Sequence, residues 1–297
     1  MYRIGIIGSE NSHALGIAKS INLPDPETGK MKHPQLRVVG ILGDTQAENQ
    51  KLIDEGGVEF IADTAEVFFG KVDAMIVDYR KGSRHAAAIM PFVEAGLPCF
   101  VDKPFTIDMA QAYALVDAAA KSGAPIMGGS SCKLSGDVEA MAKLAADKTA
   151  TGELLGAYMS FTADTNSKYD GLYFYGIHLV EMAMTVFGYD PISVIATQRD
   201  GVVSAILRYQ NVDISLQFTR GTYTCTCSLI GSEACHYKEI DLGDGMENEI
   251  SQFEQMLLTG KSPYGTEKLV VPVAVVSAIV EALETGREVQ VAKFLRK

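Results

Sequence analysis

Short apolar segments alternate with amphipathic ones along the first half of the chain. The apolar segments have strand length and stand at RIGIIG (3–8), LRVVGIL (36–42), AMIVDY (74–79), PCFVDK (98–103) and APIMGG (124–129). The segments between them have helical periodicity, and several end at glycine, as helices often do. Buried strands that alternate with helices predict a parallel sheet with right-handed crossovers, which is a doubly wound α/β domain.

The pattern changes after about residue 128. The helical segments DVEAMAKLAAD (137–147) and GIHLVEMAMTVFG (176–188) flank a strand-like segment, GAYMSFTA (156–163). Five closely spaced strands follow between residues 192 and 242 and predict an antiparallel meander, and two helices close the chain. We therefore expect an α+β domain with an open, mainly antiparallel sheet that has helices on one face and a partner subunit on the other.

Chain length and charge narrow the function classes. Because 297 residues are more than a single domain with one hydrophobic core usually contains, we expect two domains, residues 1–128 and 129–297. The net charge of −11 and the lack of a basic patch argue against a nucleic-acid partner. No apolar run approaches the roughly 20 residues of a membrane span, and the first segment lacks the features of a signal peptide. These observations predict a cytoplasmic protein without a membrane partner.

The five cysteines offer one candidate metal site. Cys225 and Cys227 share one face of a predicted strand, and Cys235 and His236 follow nearby, so a zinc site is conceivable. Structural zinc sites use paired ligand motifs, however, and the sequence has no second pair. We therefore expect reduced cysteines and no metal.

The turn after the first strand is a candidate phosphate site. A dinucleotide fingerprint has the form G-x-G-x-x-G, at a point where helix N–H groups meet a diphosphate. The corresponding turn comprises Gly8, Ser9, Glu10, Asn11, Ser12 and His13. Only the first glycine is present, because Glu10 and His13 take the places of the second and third. Asn11 and Ser12 can cap the helix, and a capped turn without a nucleotide remains the alternative.

Asp44 ends the second strand, where an acidic residue can accept hydrogen bonds from the adenosine ribose. It lies farther from Gly8 than the usual spacing of about 20 residues, and the Pro-containing insertion at 22–34 accounts for the excess. No arginine follows it to bind a 2′-phosphate, so NAD is favoured over NADP. The alternative is that Asp44 caps the next helix.

Two further segments contain residues suited to acid–base chemistry. VDKP (101–104) places Lys103 at the carboxyl end of a strand, where ligands bind in such sheets. FYGIHLVE (174–181) places His178 and Glu181 three residues apart, on one helix face. Histidine titrates near neutral pH and is suited to proton transfer. A solvated lysine and a buried structural histidine are the alternatives.

Taken together and in this order, these segments resemble the Gfo/Idh/MocA family (glucose–fructose oxidoreductase, inositol dehydrogenase and MocA) over essentially the whole chain. Asp102-Lys103-Pro104 resembles the family's E-K-P motif. The helix that begins RHAAAIM resembles its H-x3-A helix and implies that His85 lies near the nicotinamide. The strand end that precedes it contributes Asp78 and Tyr79. The segment from Phe174 to His178 resembles the family's D-x-G-x-H motif.

The resemblance implies an N-terminal Rossmann domain and an NAD-dependent dehydrogenase that acts on a sugar, cyclitol or polyol. It further implies that His178 takes the hydroxyl proton, that Lys103 binds the reacting oxygen beside the cofactor, and that Lys133 helps to bind the substrate. A homodimer or homotetramer that forms through the C-terminal sheet is the implied assembly.

One departure from the family pattern leaves alternatives open. The family's catalytic aspartate falls on Phe174, so Tyr175, Tyr173 or Glu181 would have to replace it, and Tyr175 is our candidate. Phe174 and Glu10 also suit a non-catalytic protein that senses NAD or another ligand. A third hypothesis is an enzyme that cleaves glycosides and recycles a bound NAD.

Overall fold

The computed structural model describes residues 1–296. The strands are β1 (Tyr2–Ile7), β2 (Leu36–Leu42), β3 (Phe60–Ile61), β4 (Ala74–Val77), β5 (Cys99–Asp102), β6 (Ile126–Gly129), β7 (Leu154–Thr162), β8 (Ser193–Arg199), β9 (Val202–Arg208), β10 (Asp213–Thr219), β11 (Cys225–Gly231), β12 (Cys235–Ile240) and β13 (Val289–Gln290). The α-helices are α1 (Ser12–Asn22), α2 (Gln46–Gly56), α3 (His85–Glu94), α4 (Met109–Ser122), α5 (Gly136–Ala146), α6 (Leu172–Phe187), α7 (Gly245–Thr259) and α8 (Glu267–Thr285).

The chain forms two compact units, which are described separately. The first comprises Met1–Thr106, Ala110–Gly129 and Glu247–Thr266. The second comprises Ile107–Met109, Ser130–Met246 and Glu267–Lys297. No helix within residues 1–296 is both long and apolar enough to cross a membrane.

The first unit contains a six-stranded parallel sheet with the strand order β3-β2-β1-β4-β5-β6. All four residues of β4 and all four of β5 are buried, as expected for strands covered on both faces. This sheet confirms the predicted doubly wound fold. The two-residue strand β3 was not predicted, and the segment TAEVFFG contains only a 3₁₀ turn, Ala65–Phe68, where a helix was expected.

Helix α7 joins the first unit through the insertion at 22–34. The imidazole of His33, which is buried, lies with Nε2 2.6 Å from Oε1 of Glu247 and Nδ1 3.0 Å from Oε2 of Glu254. Ser20 adds a hydrogen bond to Glu247. The insertion therefore binds a helix that is distant in sequence.

The segment after α7 lies along the edge strand β6. The N–H of Ile126 donates to Oγ of Ser262 at 2.9 Å. The N–H of Gly128 lies 3.0 Å from the hydroxyl of Tyr264, and that hydroxyl donates to the carbonyl of Gly128 at 2.6 Å. These side chains take up backbone groups that an open edge would leave to solvent.

The second unit contains a seven-stranded sheet with the order β12-β11-β7-β10-β9-β8-β13. The antiparallel meander predicted for the five strands holds for β8, β9 and β10. It is wrong for β11, because β7 lies between β10 and β11 and runs parallel to β10. The sheet is therefore mixed but mainly antiparallel. The early strand β7 is as apolar as its neighbours, and the sequence pattern carries no sign of its central position.

Helices α6 and α8 pack against this sheet, and α5 packs against α6. Their shared core contains residues such as Phe161, Met182 and Ile279. In this unit the opposite face of the sheet carries Tyr158 and Tyr237, which lie on one cross-strand row through Ser228. Both tyrosines are exposed.

Candidate active site

The carboxyl ends of β4 and β5 bring two buried carboxylates to the N-terminus of α1. The amide nitrogen of Asn11 lies 2.6 Å from Oδ1 of Asp78 and 3.3 Å from Oδ2 of Asp102. Nδ1 of His13 lies 3.1 Å and 3.2 Å from the two oxygens of Asp102. Asn11 also caps α1, since its side chain accepts from the N–H of His13, as the sequence predicted. One polar network therefore joins three crossover loops.

The two carboxyl groups of this network differ in protonation. Burial, followed by the charge of Asp102, raises the pKa of Asp78 well above its usual range. Burial alone would also raise the pKa of Asp102, but the charge and hydrogen bond of His13 and the charge of Lys103 hold it well below that range. The two pKa shifts run in opposite directions, so Asp78 binds a proton in preference to Asp102.

Lys103 follows Asp102 directly and is one of the largest fully buried side chains, at 2% exposed. Its charge lowers the pKa of both Asp78 and Asp102, so the ammonium group acts on both carboxylates. Lysine is rarely buried without an anionic partner. The solvated lysine considered from the sequence is therefore not what the structure contains.

His85 begins α3 and is fully buried. Its Nδ1 lies 2.7 Å from the carbonyl oxygen of Pro104, and its Nε2 lies 2.7 Å from that of Tyr79. Burial lowers the pKa of His85, whereas these carbonyls and Asp102 oppose that shift. Both ring nitrogens are thus engaged by backbone, and the ring ties the loop after β4 to the loop that carries Lys103.

The turn after β1 explains why one glycine of the fingerprint is present. Gly8 has φ of +107°, and a Cβ there would lie 2.6 Å from the carbonyl carbon of Asp78, so a side chain would block the approach of the two loops. The side chain of Glu10, at the second glycine position, is fixed by a hydrogen bond, since its Oε1 accepts from the N–H of Arg80 at 3.1 Å. Its carboxylate is therefore held against the loop after β4.

Asp44, after β2, is paired with an arginine that lies far away in sequence. The guanidinium of Arg84 donates to both carboxylate oxygens, at 2.5 and 2.8 Å, and its Cζ lies 3.6 Å from the ring centroid of Tyr79. No arginine follows Asp44 in the sequence, but Arg84 reaches it from the loop after β4. Asp44 does not cap α2 either, since Thr45 fills that position.

Three buried polar atoms in the crossovers after β1 and β2 lack a hydrogen-bond partner: Oγ of Ser9 and Oε2 of Glu10 in the turn after β1, and Oδ1 of Asn49 in the first turn of α2. Unsatisfied buried polar groups are rare and indicate a missing partner. Their position at the carboxyl edge of β1 and β2, beside the N-terminus of α1, is where a dinucleotide binds in such folds. The carboxylate and amide oxygens only accept hydrogen bonds and so fit the hydroxyl groups of a ligand, whereas the Ser9 hydroxyl can also donate to a phosphate oxygen.

His13, Asp78 and Asp102 also form the one group within residues 1–296 whose ligand atoms are close enough to hold a metal, all within 4.8 Å of one another. The zinc cluster considered from the sequence does not form. Cys225 and Cys227 face the core, and burial raises the pKa of each thiol to about 12. Cys235 and His236 pair with the opposite end of β11.

In the second unit, the start of α6 and the segment after β6 form a buried polar cluster. Nδ1 of His178 lies 2.6 Å from Oγ of Ser130, which also accepts from the N–H of Cys132. Oε1 of Glu181 accepts from the N–H of Ser130 at 3.0 Å, and its Oε2 lies 2.7 Å from Nζ of Lys133. His178 and Glu181 thus share one face of α6, as their spacing predicted.

A small cavity of about 310 Å³ lies beside this cluster in the second unit. Its lining includes Thr162, Asp164, Ser167, Phe174, Tyr175 and Tyr223. The ring centroid of Tyr175 lies 5.3 Å from that of His178 and 5.9 Å from that of Tyr223. Tyr175 therefore connects the histidine to the cavity, which combines aromatic walls with hydroxyl groups, one carboxylate and the guanidinium of Arg220.

Two other residues weighed as substitutes for the aspartate at position 174 have different surroundings. The hydroxyl of Tyr173 is hydrogen-bonded to Oγ of Ser277 at 2.9 Å, and burial raises its pKa. Glu181 is neutralised by Lys133, which is itself buried at 3% exposed. Lys133 is thus engaged in an ion pair, whereas the sequence suggested a direct contact with substrate.

Sequence reasoning missed Ser130 and Arg84. Ser130 follows a predicted strand that ends in glycine, and its hydroxyl carries no pattern that links it to a histidine 48 residues later. Arg84 stands within the segment RKGSRH before α3, where the cluster of cations was a visible signal. Only the order of the strands, however, shows that this loop reaches the one after β2.

Comparison with known proteins identifies relatives. A family model described as an oxidoreductase family with an NAD-binding Rossmann fold matches residues 2–130. No curated protein matches the chain in sequence. Three solved structures have similar backbones. Myo-inositol 2-dehydrogenase from Lactobacillus plantarum has a TM-score of 0.83 and 13% sequence identity, and the match covers 97% of this chain and 99% of the other. For myo-inositol dehydrogenase from Corynebacterium glutamicum ATCC 13032 the TM-score is 0.80, the identity 19% and the coverage 98% of both chains, and for scyllo-inositol dehydrogenase from Lactobacillus casei with bound NAD(H) and scyllo-inositol the TM-score is 0.82, the identity 16% and the coverage 98% of this chain and 99% of the other. At these identities the similarity shows a shared fold.

Proposed function

We propose that this chain, whose residues 2–130 match a model of an oxidoreductase family with an NAD-binding Rossmann fold, is an NAD-dependent dehydrogenase of the Gfo/Idh/MocA type that acts on cyclitols, sugars or related polyols. The observation that carries the proposal is the buried ammonium of Lys103 beside Asp78 and Asp102, at the carboxyl edge of the parallel sheet. Such an edge is where open α/β sheets bind their ligands.

Bound NAD would supply the hydride acceptor for a substrate carbinol. His178 takes the proton of the reacting hydroxyl at Nε2. For that, Nδ1 must carry the ring hydrogen and donate it to Oγ of Ser130, so that Nε2 keeps a lone pair to accept the proton. For Lys103, at the carboxyl edge of the parallel sheet, the family resemblance implies the role of a hydrogen-bond donor that stabilises developing negative charge. Tyr175 packs against His178 and faces the cavity that would hold the remaining hydroxyl groups.

The turn residues Gly8 to His13 would hold the diphosphate at the N-terminus of α1. Asp44 would accept the adenosine ribose hydroxyls, which is our reason for naming NAD. Tyr79 and Asp78 would border the cofactor from the loop after β4. His85 would act as a positioning residue, since its ring fixes the backbone on both sides of that loop.

The assembly and location are proposed by the same resemblance. We place a homodimer or homotetramer at the open face of the second sheet, where Tyr158 and Tyr237 are exposed. Tyrosine is enriched where protein surfaces meet. A cytoplasmic enzyme with a small-molecule substrate, without a nucleic-acid or membrane partner, is the corresponding setting.

The proposal is tested by a titration with NADH, followed by an absorbance screen of inositols, aldoses and polyols with NAD. Because the chain contains no tryptophan, its own emission scarcely overlaps that of the bound cofactor. We expect saturable binding and steady NADH release with at least one polyol. Tight NAD binding without net NADH, together with glycoside cleavage, would instead identify the recycling enzyme. Ligand binding with neither reaction would identify the sensor that Phe174 suggests.

Removal of the hydroxyl that holds His178 should change the pH dependence of turnover. We expect His178→Ala to lower kcat by about 10²-fold or more. Ser130→Ala should lower kcat less, and the acid limb of its pH–rate profile should move to lower pH, because Oγ no longer accepts from the imidazolium. Ser130→Thr should restore the profile. The matched control is Ser131→Ala, which removes the neighbouring hydroxyl, and an unmoved limb in Ser130→Ala would refute the positioning role.

A further inference from the structure

The pair formed by Asp44 and Arg84 has a geometry suited to a second ligand. The guanidinium presents a two-point contact to a carboxylate, and the Tyr79 ring holds it flat at 3.6 Å. Phosphate accepts the same two-point contact, for which arginine is the preferred side chain. The side chains of Arg84 and Asp44 are 38% and 50% exposed, so a ligand can reach both.

The position of the pair corresponds to the adenosine end of a dinucleotide. Asp44 follows β2, and Tyr79 and Arg84 follow β4, and these strands flank β1 in the sheet. The turn after β1 and the first turn of α2 also contain the unpartnered polar atoms of Ser9 and Asn49. In such folds an acidic residue here accepts the ribose 2′-hydroxyl, whereas an arginine here binds a 2′-phosphate. This chain has both residues, bound to each other.

We propose that Arg84 is a specificity residue that admits a 2′-phosphate, so that the site accepts NADP as well as NAD. With NAD, Asp44 accepts the 2′-hydroxyl while one of its oxygens remains on the guanidinium. With NADP, the phosphate replaces the carboxylate on the fork, and the exposed Asp44 turns towards solvent. This inference rests on the proposed function, because it assumes that a dinucleotide binds at this edge.

The test uses the full chain and two fragments that require no catalysis, 5′-AMP and adenosine 2′,5′-bisphosphate, titrated calorimetrically. We expect the bisphosphate to bind at least as tightly as 5′-AMP. Arg84→Met should weaken bisphosphate binding at least tenfold and change 5′-AMP binding less than threefold. Asp44→Asn should strengthen bisphosphate binding. Lys81→Met, which removes an exposed cation from the same loop, is the matched control and should change neither affinity more than threefold.

The outcomes separate this inference from the proposed function. If neither nucleotide nor NADH binds, the dinucleotide site itself is absent and both proposals fail. If 5′-AMP or NADH binds but the bisphosphate does not, or if Arg84→Met binds the bisphosphate as the parent does, only the role of Arg84 is overturned. Should Arg84→Met fail to fold, Arg84→Lys decides: it keeps the charge but loses the fork, and we expect an intermediate loss of bisphosphate affinity.

Discussion

Replacement of Lys103 by methionine should lower kcat by about 10²-fold or more, since it removes the donor that stabilises charge on the reacting oxygen. The variant should still fold. Asp78 is held protonated by burial and by the charge of Asp102, so loss of the ammonium leaves only Asp102 charged, and His13 remains paired with it. Turnover on the substrate found by the screen is the measurement, with a thermal melt to verify folding.

Lys121→Met is the matched control for this variant. Lys121 is an exposed lysine in the last turn of α4, so its loss removes the same charge from the same unit without touching the candidate site. We expect its kcat to equal that of the parent. If Lys103→Met kept more than a tenth of the parental kcat while binding NADH normally, the assigned role of Lys103 would have to be abandoned.

The two buried carboxyl groups should respond in opposite directions to neutralisation. Asp102→Asn should lower the free energy of unfolding by about 3 kcal/mol at pH 7, because it removes the charge that His13 and Lys103 face in a buried setting. Asp78→Asn should leave stability unchanged or increase it, since the amide mimics the protonated acid. Urea unfolding at several pH values measures both effects.

The pH dependence follows from the direction of each pKa shift. Asp102 has a lowered pKa in the folded state, so its contribution is present above the unfolded pKa and is lost as pH falls. Asp78 has a raised pKa, so its contribution is present below the unfolded pKa and is lost as pH rises towards the folded value. Asp78→Asn should therefore remove a decline in stability that begins near the unfolded pKa of an aspartate, about 3.9, and ends at the folded value.

The double variant Asp78→Asn/Asp102→Asn tests whether the titrations of the two carboxyl groups are coupled. In Asp102→Asn, Asp78 no longer faces a negative neighbour and can ionise beside Lys103. The double variant loses this substitute charge, so its destabilisation should exceed the sum of the two single effects. Strictly additive changes in the free energy of unfolding, or a strongly destabilising Asp78→Asn, would contradict this coupling.

The doubly wound domain could be predicted because its strands are apolar along their whole length and are separated by clear helical segments. The second domain was predicted less completely. Hydrophobic alternation locates β7 to β12, but strand order depends on contacts between distant residues, and β7 is inserted between β10 and β11. The two-residue strands β3 and β13 are too short to leave any periodic signal.

At the site, the sequence located the loops that carry the candidate residues better than it located the hydrogen-bond and ion-pair partners of those residues. The degraded fingerprint, Asp102-Lys103-Pro104 and His178 led to the family resemblance, and the family model matches residues 2–130. The assigned roles of Lys103, His178 and Tyr175 stay predictions. What could not be foreseen were long-range pairs such as Asp44 with Arg84, because a charged side chain shows its own chemistry in the sequence but not what it faces.

The position of helix α7 and the segment after it affects how the protein can be made and divided. Phe253 packs against Phe100 of β5 at 5.8 Å, and Ser262 and Tyr264 occupy the edge of β6. During synthesis, the edge of β6 in the first unit would therefore stay uncovered until residue 266 has left the ribosome. A fragment that ends after β6 would keep the unpaired edge of β6 exposed and would be prone to aggregate. A stable isolated domain would therefore need residues 247–266 fused to it.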